Sequence, residues 1–311
     1  MKSSNRVYLS VFVLWVSCLS TLPGLLPAAD IPATVMTQKI TSFLENAYPK
    51  NEPGAAVLAV KDGKIILRQG FGMANLELGI PIKPEMVFRL ASITKQFTSV
   101  AIMKLAEAGK LSLSDDIKKY LPDYPTHGHS ISIQNLLNHT SGIKSFTDIP
   151  AFYSLMRKDI TPTELIDIFK NQPMDFAPGE KLLYNNSGYV LLGAIIEKVS
   201  GQSYESYIVE NIFKPLGMSN SYYDSASRII PQRVSGYEKG EKGITNSDYI
   251  SMTICHSAGA LASSVDDLYR WYQGLEAGKV ISQKSLEQMY QPVTLKDGKT
   301  FNYGYGWLLV S

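Results

Sequence analysis

The chain has 311 residues, 45% hydrophobic and 19% charged. That is ordinary globular composition, with length for one large domain or two smaller ones. The formal charge is +2, and Lys2 and Arg6 are the only charges before Asp30, so the remainder nets zero and carries no basic cluster. Binding to nucleic acid therefore has no electrostatic footprint, and no partner of that kind is expected.

In chain order, residues 1–29 read as an export signal. Lys2 and Arg6 form a basic n-region, residues 7–19 are an apolar run, Pro23-Gly24 breaks any helix, and Leu26-Pro27-Ala28-Ala29 offers small residues for cleavage. Pro27 is a departure from the preferred cleavage pattern. Two alternatives stand beside it: an uncleaved anchor over residues 7–26, and a lipid attached at Cys18. Export places the protein in the periplasm or outside the cell, with any membrane association made through this segment. If Cys18 leaves with the signal, Cys255 has no partner; it reads as a small buried hydrophobe, and neither a disulfide framework nor a zinc site is implied.

Residues 30–311 form the expected mature domain. Met36, Ile40, Phe43, Leu44 and Ala47 recur at helical spacing over residues 31–48. Two apolar, β-prone runs, 55–60 and 65–68, flank Asp62-Gly63 and predict a hairpin. A helix follows from near Ser92 to Gly109, with Ile93, Phe97, Val100, Ala101 and Leu105 on one face. Helical patterns dominate a subdomain at about residues 100–215, including 133–137, 163–169 and 188–199. A further helix covers 264–275, and 302–310 reads as a strand. The order predicts an α+β fold: an antiparallel sheet flanked by helices, its early and late strands separated by a large helical insertion.

Ser92-Ile93-Thr94-Lys95 stands at a helix start. Residues three apart share a helix face, so the lysine amine can reach the serine hydroxyl, and a partly desolvated lysine can act as its base. The helix N-terminus adds positive potential where an oxyanion would form. Alone the tetrapeptide is weak: about one match is expected by chance in a chain of this length. A second one, Ser141-Gly142-Ile143-Lys144, lies in a glycine-containing loop. An N-cap serine is the structural alternative for Ser92.

Tyr184-Asn185-Asn186 is the sole Tyr-x-Asn, between Pro178-Gly179 and a helix starting near Gly188. With it, the ordered motifs resemble a known family. Residues 88–95 (Phe-Arg-Leu-Ala-Ser-Ile-Thr-Lys) resemble the nucleophile motif of class C β-lactamases and related penicillin-binding proteins and esterases. Residues 136–143 resemble their Asn-His-Thr-Ser-Gly loop, and 177–189 their second motif; 213–218 and 258–264 fit as well. The resemblance covers about residues 35–310 and implies a β-lactamase/transpeptidase-like fold. It implies a serine hydrolase acting through an acyl-enzyme on a β-lactam, a D-alanyl-D-alanine peptide or an ester. The substrate would be a small molecule or derived from peptidoglycan, and no cofactor or metal is implied. Ser92 would be the nucleophile, and its backbone N–H one oxyanion donor. Lys95 and Tyr184 would share proton transfer, with the base open between them. Asn186 would bind the substrate amide and Lys95. A turn tyrosine with an Asn helix cap is the structural alternative for Tyr184 and Asn186. His139 invites a reading as general base, but a hydrogen bond within its loop accounts for it better. His127, His129 and His256 show no metal-ligand pattern.

The family's third motif, Lys-Thr-Gly or His-x-Gly, is not found. Lys299-Thr300-Phe301 has two of its letters with Phe in place of Gly, and the resemblance ends at Tyr303-Gly304-Tyr305-Gly306-Trp307. The expectation is a member truncated before that motif, either active in a complete chain or catalytically weak and limited to binding peptidoglycan-like ligands.

Overall fold

The computed structural model describes residues 32–241 and 243–309, so residues 1–29, expected to be an export signal, and Cys18 among them lie outside the described residues. Among the described residues no helix is long and apolar enough to cross a membrane. The chain divides into two compact units. Of the described residues, the first takes those up to Phe88 with Pro231–Asp248 and Ser264–Tyr269; the second takes Arg89–Ile230, Tyr249–Ser263 and those from Arg270 onward.

In the first unit, Asp62 and Gly63 make the expected turn. Both take positive φ, 51° and 72°, the twist that a two-residue hairpin loop needs. Strands Ala55–Lys61 and Lys64–Phe71 pair antiparallel from Ala55 opposite Phe71 to Lys61 opposite Lys64, with one bulge at Ala59/Val60. The expected N-terminal helix is Ala33–Ala47, and its Thr37 hydroxyl donates to the Ile66 carbonyl at 3.0 Å. Ala74, Ile82 and Met86 form a small core with Ala56, Phe88 and Val234 against it. A second hairpin joins Tyr237–Gly240 to Gly243–Asn246.

The second unit is built around the helix Thr94–Glu107, entered through a short 3-10 turn, Ala91–Ile93. The sequence predicts one apolar face; the structure buries this helix nearly all round, including Thr94, Lys95, Thr98 and Ser99. Burial of its hydroxyls is offset by partners. Thr98 donates to the Ser257 carbonyl at 2.7 Å and meets the Tyr204 hydroxyl at 2.7 Å, and Ser99 meets the Tyr189 hydroxyl at 3.1 Å. Phe97 stacks on Trp271 with centroids 4.2 Å apart and meets Phe213 edge-on. Strand Leu261–Ser263 pairs antiparallel with Tyr222–Tyr223, and the Leu90 N–H donates to the Leu261 carbonyl at 2.8 Å. The fold is α+β as expected, helices with small antiparallel sheets.

The helices Ile133–Leu137, Pro162–Phe169 and Asn186–Ser200 form where periodicity places them. Thr161 caps the second in a capping box: its hydroxyl accepts the Glu164 N–H at 3.2 Å, and Glu164 accepts the Thr161 N–H at 2.7 Å. Thr161→Ala is expected to cost about 1 kcal/mol in urea unfolding without altering the site.

Among the described residues, the strand predicted over 302–310 does not form. Regular pairing ends with Thr300–Phe301 against Val293–Thr294, and beyond it the chain turns back, Tyr303 bridging to Leu308. The cause is close backbone packing at two glycines. A Cβ on Gly304 would lie 2.0 Å from the Met289 carbonyl oxygen, and one on Gly306, where φ is 80°, would lie 2.9 Å from that of Lys95. The alternation of Tyr303, Tyr305 and Trp307 imitates a strand without being one.

Candidate active site

The 3-10 turn before the Thr94–Glu107 helix is where Ser92 stands. Ala91 ahead of it has φ 46°, a left-handed conformation costly for a residue with a Cβ, of order 1–3 kcal/mol. Ser92 is exposed and does not cap the helix, whose N-cap position is Ile93 with no side-chain bond. The N-cap alternative for Ser92 therefore falls.

Lys95, one turn on, is 1% exposed. Its amine lies 3.3 Å from Ser92 Oγ, 2.9 Å from Asn186 Oδ1 and 2.8 Å from the Ala258 carbonyl oxygen. The rings of Tyr184 and Tyr189 lie 4.8 Å and 5.4 Å from it. Neutral oxygens and ring faces replace water, and burial brings the amine down to about 7. A neutral amine has two N–H groups and one lone pair. The Asn186 and Ala258 oxygens take the two hydrogens, and the lone pair is left for the Ser92 hydroxyl.

The Tyr-Asn-Asn run divides its labour at a helix start. Asn185 is the cap: it accepts the Gly188 N–H at 2.8 Å, and its amide donates to the Ile143 carbonyl. Asn186, the first helical residue, is thereby free to reach Lys95, and its N–H donates to Ser145 Oγ at 3.2 Å. The alternative reading is right for Asn185 and does not describe Asn186. Tyr184 is 43% exposed. Desolvation of its phenol outweighs a hydrogen bond to Ser92 and pushes it up to about 12, so the hydroxyl keeps its proton at neutral pH.

The second Ser-x-x-Lys is not brought together. Ser141 Oγ accepts the Ile143 N–H at 3.3 Å, while Lys144 pairs with Asp175 at 2.9 Å. Lys299 pairs with Asp297 at 2.8 Å on the surface. Burial pushes the half-buried Cys255 thiol up to about 11, consistent with an unreactive thiol. His139 is engaged at both ring nitrogens, with the Asn185 N–H at 3.1 Å and the Tyr303 hydroxyl at 2.8 Å. Burial and the neighbouring Lys95 hold it well below the usual imidazole range.

Three features of the site escaped sequence reading. Ala258 supplies its backbone carbonyl, which no side-chain pattern announces. His256, at φ 37° and ψ −137°, kinks the helix Met252–Gly259 just before Ser257 and Ala258. Gly193 lets the Asn186–Ser200 helix approach that kink, since a Cβ there would lie 2.1 Å from Ser257 Oγ. A glycine within a helical pattern was the one available signal.

The Beta-lactamase family model matches residues 40–311. Penicillin-binding protein 4* of Bacillus subtilis (strain 168) is 32% identical over 285 residues, covering 87% of this chain and 62% of the relative. The octameric penicillin-binding protein homologue from Pyrococcus abyssi superposes with a TM-score of 0.74 at 32% identity, over 88% of this chain and 64% of that one. The D-amino acid amidase from Ochrobactrum anthropi SV3, complexed with D-phenylalanine, gives 0.66 at 26% identity, over 76% and 70%. The fold is thus of the β-lactamase/transpeptidase-like class. The chain belongs to the Beta-lactamase family, within the serine β-lactamase and penicillin-binding protein superfamily. It spans less than two thirds of the length of the curated relatives it matches.

Proposed function

We propose that this protein is a serine hydrolase that transfers an acyl group from an amide or ester to Ser92 and then to water. The observation that carries the reading is the Lys95 amine, buried, brought to about 7, and 3.3 Å from Ser92 Oγ with both its hydrogens spoken for. Lys95 is the base and Tyr184 the proton carrier, because an amine near 7 is half deprotonated at neutral pH while a phenol near 12 is not. As Ser92 attacks the carbonyl, its proton passes to Lys95. Tyr184, hydrogen-bonded to Ser92, returns a proton to the leaving group, and the amine replenishes it. The Ser92 N–H, in the 3-10 turn that leads into the Thr94–Glu107 helix, is assigned as one donor to the developing oxyanion. Asn186 holds the amine and offers its amide to the substrate.

The similarity to proteins named penicillin-binding protein and D-amino acid amidase favours an amide next to a D-amino acid, as at the end of a peptidoglycan stem. Residues 1–29, read as an export signal, would suit such an envelope substrate.

Intact-protein mass spectrometry tests the reading. Protein from Asp30 onward, treated with a fluorophosphonate and separately with a penicillin, is expected to gain one adduct that is lost in Ser92→Ala. A folded protein that gains no adduct from either would overturn it and leave the non-catalytic, ligand-binding reading.

A further inference from the structure

One residue holds the backbone on both sides of Tyr184. The Leu183 N–H donates to the His139 carbonyl at 3.0 Å, and the Asn185 N–H donates to His139 Nδ1 at 3.1 Å. The imidazole ring packs on the Tyr184 ring with centroids 4.5 Å apart. From this geometry we propose that His139 is a positioning residue that places the Tyr184 hydroxyl against Ser92, and that it does so as the neutral Nε2–H tautomer. The proposal rests on the assignment of Ser92, Lys95 and Tyr184 made above.

The tautomer follows from the hydrogen-bond order. Nδ1 accepts from a backbone N–H, so it carries no proton, and Nε2 must donate to the Tyr303 hydroxyl at 2.8 Å. Tyr189, whose ring lies 5.2 Å from the imidazole, donates its hydroxyl to the Leu137 carbonyl at 2.8 Å. An imidazolium would place an N–H against the Asn185 N–H and break the clamp. The groups facing the ring are Lys95 and the tyrosines 184, 189 and 303; Lys95, the one cationic group among them, opposes that protonation.

The backbone of His139 also fits the task. Its φ is 61°, a left-handed value that asparagine tolerates well among non-glycine residues. Asn Oδ1 occupies roughly the place of Nδ1, so His139→Asn keeps the acceptor for Asn185 and loses the contact to Tyr303. His139→Ala loses both.

The test compares these two variants with the wild type in the rate of fluorophosphonate labelling of Ser92, in amide hydrogen exchange at Leu183 and Asn185, and in thermal stability. Labelling is expected to fall about 10- to 100-fold in His139→Ala, the scale set by misplacing a catalytic group. In His139→Asn it is expected to return to within a few-fold of wild type, although both variants melt earlier. Protection of the Asn185 amide is expected to be lost in the first and kept in the second. Equal labelling losses in both variants, or unchanged Asn185 protection in His139→Ala, would overturn the proposal and leave His139 as packing. Long-range proton–nitrogen spectra of histidine-labelled protein check the tautomer, and a proton found on Nδ1 sinks it. A wild type that labels at no rate refutes the Ser92 assignment, while the exchange and the spectra still decide the clamp.

Discussion

Lys95→Met is expected to slow fluorophosphonate labelling of Ser92 by roughly 10²–10⁴-fold, the usual contribution of a positioned base. In the wild type the labelling rate should rise with pH and level off above about 7, because the amine must lose its proton to serve. Methionine has no such group, so the remaining slow rate should lose that inflection. The same substitution should change the pH dependence of stability. The amine titrates near 7 when folded and near its ordinary 10.5 when unfolded. Between those values the unfolded chain binds more protons, so wild-type stability gains from this group as pH rises through that window, and the cost of burying a charged amine is fully present below 7. Lys95→Met removes that contribution and leaves the Asn186 and Ala258 oxygens without a donor, at about 1–3 kcal/mol. The difference in stability, wild type minus variant, should therefore increase from pH 7 to pH 10. Urea titrations across that range check it, and a constant margin would mean that the amine is not depressed.

Gly142→Ala is expected to cost about 2–4 kcal/mol, combining a left-handed backbone with overpacking against main chain. Gly142 has φ 74°, and a Cβ there would lie 1.9 Å from the Phe176 carbonyl oxygen. No side chain can swing aside, so the loop itself must move. That loop carries the Ile143 carbonyl that holds Asn185, and Ser145, which accepts the Asn186 N–H. Labelling of Ser92 should fall with stability, because the Tyr-Asn-Asn segment loses its support. Gly179→Ala is the control: its φ is 84°, but the nearest obstacle is the flexible Lys296 side chain at 3.2 Å, so only the backbone cost of about 1–2 kcal/mol is expected. Equal losses in the two variants would argue against the steric account.

Local signals in the chain determined a good part of this protein. Asp62-Gly63 specified its hairpin because a two-residue turn needs two positive φ values. The Ser92–Lys95 spacing brought hydroxyl and amine together because both stand on one turn of helix, and 3.6-residue periodicity located the helices. Distinguishing Ser92–Lys95 from Ser141–Lys144 needed the ordered motifs around the first, since the tetrapeptides are equivalent. Tertiary structure alone decided the rest. It dried the Lys95 amine by enclosing it among Tyr184, Asn186 and Tyr189 from one stretch of chain and Ala258 from another, both far from Lys95 in sequence. It turned the strand-like alternation at 303–307 back on itself, because Gly304 and Gly306 meet the backbone of Met289 and Lys95. It also imposed the left-handed backbone at Ala91, His139 and His256. Residue type and spacing fix local geometry within a few residues; desolvation and strain arise from segments far apart in sequence, and only the packed chain brings those together.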